Sequence, residues 1–368
     1  MITAEIKPEE LAQGYEGRLL HLNPEHSRRS LREAIAKHAG LSHDKPPIFY
    51  LAAAAKVDVS AFVRGHTTIP VLRITVPKPQ NRPDCDHGDP SQLAVLRRFG
   101  MQKTGAARFC RECVKEDLGF HHVSYWRRAH QIAGVDWCPK HGIPLTETQD
   151  RAAYDTPPSN HLDAADDLQV GALQEWPAMQ QYVSIAEHAL DLRRPLCETD
   201  LRNALRARTK ALGLRGRSLC DKLEVSDLVR ASLPIGWVKR HLPVLAERTL
   251  DEHVYLLDGS VHCGSGATHL GYILAAALIY PSAEDALQVL ADPENLREMS
   301  LRQRRVRTTR RGAALQEAVV RLILRSRCAQ AGEAVKSCSD HLDVSTPIAE
   351  GADARGEDQP SARQDAAT

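Results

Sequence analysis

Leu11, Tyr15, Leu19 and Leu22 recur at helical spacing along Glu9 to Leu22, which predicts an amphipathic helix with one apolar stripe. A second helix follows over Ser27 to Ala39, where Gly40 supplies a stop. Pro47 to Lys56 makes a third, and Asp58 caps a short fourth that closes at Gly65. The tight turn between these two, with Phe62 and Arg64 on the second, has the layout of a helix-turn-helix, a layout that packing alone also produces. Val71 to Val76 reads as a short strand entering a connector rich in proline, at Pro77, Pro79 and Pro83. Farther on, Thr268 to Tyr280 is an apolar helix ended by Pro281, and Ser282 with Asp285 caps the next, Ala283 to Leu290. Leu315, Ala318, Val319, Leu322 and Ile323 mark a late amphipathic helix.

Composition turns this pattern into a fold class. Aromatic residues are only 5% of the 368, so aliphatic side chains must fill most of the core, which suits helices. The expected fold is mainly α: a helical, helix-turn-helix-like N-terminal unit with a Cys3His zinc ribbon, then an all-helical C-terminal domain. Thr146 to Leu173 is acidic, holds Pro157 and Pro158 and keeps no sustained period, so the boundary is placed there. The predicted organisation is residues 1–148 with a zinc finger over 108–145, an acidic linker over 149–175, a helical DNA-binding domain over 176–328 and a disordered tail over 329–368. The longest apolar run, Ile273 to Tyr280, is far short of the roughly 20 residues that cross a bilayer, and no leader pattern opens the chain, so a cytoplasmic location is expected.

Charge is segregated beneath a net of +1. Residues 146–200 carry 3 basic against 11 acidic side chains, 201–250 carry 11 against 4, and 301–328 carry 9 against 1. Two basic blocks framed by acidic ones suit a polyanionic partner.

Nine cysteines without a secretory leader favour metal ligation over disulfides. Cys110 and Cys113 form one Cys-x2-Cys pair, and Cys138 and His141 form a second x2 pair after 24 residues. Two such knuckles supply four soft donors for one structural Zn2+ ion and leave no coordination position for an activated water. The zinc-deaminase signature needs a His-x-Glu ahead of Pro-Cys-x-x-Cys, and neither part is present. No catalytic residues are therefore assigned, and the protein is read as not an enzyme. Cys85, Cys197, Cys220, Cys263, Cys328 and Cys338 lack partnered spacing, although Cys85 with His87 or His262 with Cys263 offers half a second site. Between the pairs, Trp126, Arg127 and Arg128 are candidate contacts to a partner, against a plainer reading in which Tyr125 and Trp126 cover the zinc and the arginines are solvated.

Candidate nucleic-acid contacts lie in two basic clusters. Arg206, Arg208, Arg215 and Arg217 precede short helices at Ser218 to Leu223, from Asp227, and at Pro234 to His241, the last presenting Trp237, Lys239 and Arg240. Three short helices with a basic last one meet the requirements of a helix-turn-helix, and a solvated basic face with Trp237 in the core is the alternative. The second cluster is Arg302, Arg304, Arg305, Arg307, Arg310 and Arg311, and arginine suits phosphate because its planar fork pairs bidentately.

Phe109-Cys-Arg-Glu-Cys-Val114, Glu116-Asp117, Tyr125-Trp-Arg-Arg-Ala-His-Gln131 and Cys138-Pro-Lys-His-Gly142 followed by Leu145 resemble the TniQ domain of bacterial transposition target-selection proteins, the TniQ/TnsD family. Glu9-Glu10-Leu11, Gly17-Arg18-Leu19 and Phe62-Val-Arg-Gly-His66 are similar to its opening helices, so the resemblance spans roughly 5–148. In length the chain is nearest to the stand-alone TniQ proteins of mercury-resistance and integron-carrying transposons. The resemblance implies a non-catalytic adaptor that helps choose the insertion site on DNA and links it to an AAA+ ATPase regulator, TniB- or TnsC-like, and through that to a transposase. It also implies a bacterial, nucleoid-associated protein; the oligomeric state is left open, with a homodimer as one candidate. The competing reading is a zinc-containing helix-turn-helix transcription regulator unrelated to transposition.

Overall fold

The protein is described by a computed structural model covering residues 2–76, 85–101, 105–212, 214, 224–248, 253–262 and 267–291. The tail over 329–368, the late helix around Leu315 and the connector prolines lie outside the described residues. The architecture is mainly helical.

Four helices open the chain: α1 Ala12–Leu22, α2 Arg28–Ala39, α3 Pro47–Ala55 and α4 Val59–His66. The helix expected from Glu9 begins three residues later because Glu9 has a left-handed backbone (φ 61) and Glu10 instead bridges to Arg127. Ser27 and Ser30 cap α2 reciprocally, and Gly40, at φ 64, ends it. The Asp58 carboxylate accepts the Ala61 N–H at 2.9 Å and starts α4 as expected. Tyr15, Leu19, Leu31, Ile35, Leu51 and Phe62 are buried together, so the stripe of α1 packs on the next three helices.

A single turn, α5 Ile69–Leu72, replaces the first half of the expected strand, because Pro70 suits the first turn of a helix. Only Thr75–Val76 is extended (β1), and it pairs in parallel with Leu196–Cys197 (β5). After α6 Leu93–Phe99, a small antiparallel sheet joins β2 Ala107–Phe109, β3 Thr146–Thr148 and β4 Asp166–Asp167, with α7 Arg111–His121 directly following β2. The C-terminal helices are α8 Pro177–Ala189, α9 Glu198–Ala211, α10 Val225–Ser232, α11 Ile235–His241, α12 Pro243–Ala246, α13 Tyr255–Asp258, α14 His269–Ile279 and α15 Ala283–Ala291. The apolar α14 is buried on almost every face and packs against α8, α9, α10, α13 and α15. No helix among the described residues is long and apolar enough to cross a membrane.

Residues 149–175, expected as an acidic linker, are folded against the N-terminal helices. Ala153 and Tyr154 are buried, β4 completes the sheet, and the Tyr154 carbonyl rests on Gly17 so closely that a Cβ there would fall 1.8 Å from it. Gly14, one helical turn earlier, admits the Trp126 ring in the same way. Two glycines on one face of α1 thus let two chain segments approach it. The composition of 149–175 follows from this layout: Asp150, Asp163, Asp166, Asp167 and Glu175 are exposed, while short 3-10 turns bury single residues such as Tyr154, Pro158 and Leu173 without a sustained period.

Candidate metal centre

Cys110 caps α7 and Cys113 lies in its first turn, so one short segment aims two sulfurs the same way. The second knuckle is a tight loop in which Cys138 N–H donates to the Ile143 carbonyl (2.8 Å), and Gly142, at φ 66, donates to the Cys138 carbonyl (2.8 Å). The four donor atoms of Cys110, Cys113, Cys138 and His141 lie within 4.8 Å of one another, and the three thiols are buried.

His141 Nδ1 stands 3.4 Å from both Cys110 Sγ and Cys113 Sγ and 3.5 Å from Cys138 Sγ; Cys113 and Cys138 are 3.7 Å apart. One imidazole nitrogen carries a single proton or a single lone pair, so it cannot bond to three sulfurs at once. A tetrahedral zinc, with bonds of about 2.3 Å to sulfur and about 2.0 Å to nitrogen, sets sulfurs about 3.8 Å apart and sulfur and nitrogen about 3.5 Å apart. The donor set fits such an ion and can hold it. Hydrogen bonds from Cys113 and Cys138 favour the Cys110 thiolate, and those same bonds push the Cys113 thiol up and the Cys138 thiol up to about 11. Three buried thiols thus compete for protons that a cation would displace.

A second layer orients the donors. His141 Nε2 lies 3.2 Å from Glu116 Oε1, which fixes the ring to present Nδ1 inward, and Lys140 donates to the other Glu116 oxygen at 2.5 Å. His130 is buried behind Cys110, and burial pushes its imidazole down to about 3, so that ring is neutral.

Trp126 is enclosed between Phe109 and Tyr154, both edge-on, and its Nε1 donates to the Thr156 carbonyl (2.8 Å). Arg127 pairs with the buried Asp117 at 2.5 Å. Arg128 is 2% exposed: it bonds to both Glu9 oxygens, to Asp191 at 2.9 Å, and to the carbonyls of Arg64 and Leu190. Trp126 and Arg128 are therefore interior pieces, and Arg128 is not the solvated side chain of the plainer reading. The resembling motif is largely a scaffold, since Glu10 also clamps Arg18 bidentately and Gln131 bonds in both directions to the Arg108 backbone. Beside the cluster an open cleft of about 500 Å³ is lined by Glu9, Arg128, His130, Lys140, Glu187 and Asp191.

The candidate nucleic-acid contacts are divided. Arg208 donates to the Ile279 carbonyl and lies over the Tyr280 ring, while Arg206 is half-buried on the same helix, α9. Trp237 is in the core, its Nε1 donating to the Gly134 carbonyl (3.0 Å), because α11 packs its apolar side on the loop before Cys138. Lys239 and Arg240 are exposed on the other side, with Arg240 paired to Glu147 at 3.0 Å. Arg215, Arg217, Arg302, Arg304, Arg305, Arg307, Arg310 and Arg311 lie outside the described residues. Asp136 went unread in the sequence: wholly buried, it holds Arg108 at 3.1 Å and His241 at 2.9 Å. Its proximity to Cys138 was the available signal, but a lone aspartate in a ribbon loop says nothing of its distant partners.

No curated protein matches the chain. Residues 1–145, which contain both the α1 scaffold and the whole Cys3His cluster, match the model of the TniQ family, so this part of the chain is similar to a TniQ domain.

Proposed function

We propose that the protein is a target-site selection adaptor in DNA transposition, one that engages DNA or a target complex and links it to an AAA+ ATPase regulator and, indirectly, to the transposase. A TniQ domain implies a transposition-associated role. The observation that supports the rest is the closed donor set: four side chains would fill the shell of a tetrahedral Zn2+ ion, which would then stiffen a docking platform rather than activate water. In this reading no catalytic residue is needed. The mixed-charge cleft beside the cluster offers a partner both carboxylates and an ammonium. Lys210 and Lys239, exposed on α9 and α11, offer cations to duplex phosphates, and the sequence adds the arginines of 302–311 as further candidates. On this view residues 1–148 serve the partners and 176–328 serve DNA.

The test is copurification of the full chain with an AAA+ regulator on duplex DNA, with and without ATP. The adaptor reading expects an ATP-dependent ternary complex. Binding to DNA without recruitment of the ATPase would favour a transcription regulator. Neutralising roughly six phosphates predicts that log affinity falls with log salt at a slope of about −5, whereas a flat response would remove the duplex claim.

A further inference from the structure

Away from the Cys3His cluster, Glu224, His253 and His262 bring one ligand atom each to within 4.8 Å of the others. They come from three places in the chain: Glu224 caps α10, His253 directly precedes the residue that caps α13, and His262 follows α13. His262 Nε2 hydrogen-bonds to Glu224 Oε2, and the two imidazole rings stand 5.1 Å apart, edge to face.

What holds them together is one residue, Asp258, which is wholly buried. Its carboxylate accepts the Ser226 N–H and hydroxyl (both 2.8 Å), two residues after Glu224, and the Val254 N–H (2.7 Å), next to His253. Its backbone carbonyl accepts the His262 N–H at 3.0 Å. All three donor-bearing segments are thus tied to a single anchor, the supporting shell that a metal site requires. A hydrogen bond between Glu224 and His262 would need neither His253 nor this common anchor. Two imidazoles and a carboxylate are the donors of a borderline divalent ion, and the three side chains are 34%, 22% and 18% exposed, which gives an ion a path in.

We propose that Glu224, His253 and His262 bind a second divalent transition ion of the zinc class, stapling α10 to α13 independently of the Cys3His centre. The test titrates Co2+ into the full chain carrying one tightly held zinc, after dialysis against a weak chelator. The expected result is uptake of one equivalent of cobalt with weak d–d bands, no thiolate charge-transfer band and no release of zinc. His253→Ala and His262→Ala should each lose that equivalent while ellipticity and tryptophan fluorescence stay unchanged. His253 is partly exposed, so its replacement should leave the fold intact. No visible spectrum with excess cobalt, a charge-transfer band accompanied by zinc release, or uptake unchanged in both variants would overturn the proposal.

Discussion

His241 Nε2 lies 2.9 Å from Asp136 Oδ2, which joins α11 to the loop that leads into the second metal knuckle. The same carboxylate bonds to Arg108 in the middle of β2, so one buried aspartate couples the C-terminal helices to both segments of chain that carry donors. Burial pushes the Asp136 carboxyl up, but the His241 hydrogen bond and the surrounding cationic groups outweigh it and hold the carboxyl below its ordinary value.

Replacing Asp136 by Ala strands the Arg108 guanidinium, which is 5% exposed on its side chain. The expected loss is about 3–5 kcal/mol in urea unfolding, because an uncompensated buried charge remains. His241→Gln, which leaves the Arg108 pair intact, should cost much less. Equal losses would argue that Asp136 serves only α11.

Gly17→Ala should cost about 3 kcal/mol, since the new methyl would collide with the backbone of Tyr154 and cannot be relieved by a side-chain rotation. Gly65→Ala, on α4 with open space around it, should gain about 0.5 kcal/mol from helix propensity alone. Thermal midpoints of the two variants check both, and a harmless Gly17→Ala would mean that 149–175 does not rest on α1.

Glu116→Ala removes the carboxylate that orients His141 without touching a donor atom. Metal affinity should fall about tenfold in a chelator competition. Unchanged affinity would show that the knuckles alone set the ring.

His87 is buried, and burial, with Arg73 nearby, pushes its imidazole down to about 4 from 6.5. The unfolded chain therefore takes up a proton below pH 6.5 that the folded chain refuses, so this contribution is present above that pH and lost as pH falls toward 4. Between pH 7.5 and 5.5 the chain should lose about 1 kcal/mol more stability than its His87→Gln variant does. Parallel losses in the two proteins would contradict a neutral buried ring.

Local signals were legible. Gly40, Asp58 and the Ser282–Asp285 pair act where their chemistry placed them, and the two x2 pairs converge as their spacing required. Contacts between distant segments were not. For Trp126, Arg128 and Trp237 the sequence leaves contact and non-contact readings side by side, because aromatic and guanidinium groups serve interfaces and cores alike, and only the tertiary packing of Glu9, Thr156 and Gly134 around them decides. Tyr154 was hidden for the same reason, in a segment whose composition resembles a tether.

The closed donor set is tested most directly by X-ray absorption at the zinc edge on the His253→Ala chain carrying one equivalent of metal. Three sulfurs and one nitrogen around the ion, with no light donor from solvent, is the expected shell. An oxygen in the shell, or fewer than three sulfurs, would contradict the account of this centre as a purely structural clamp.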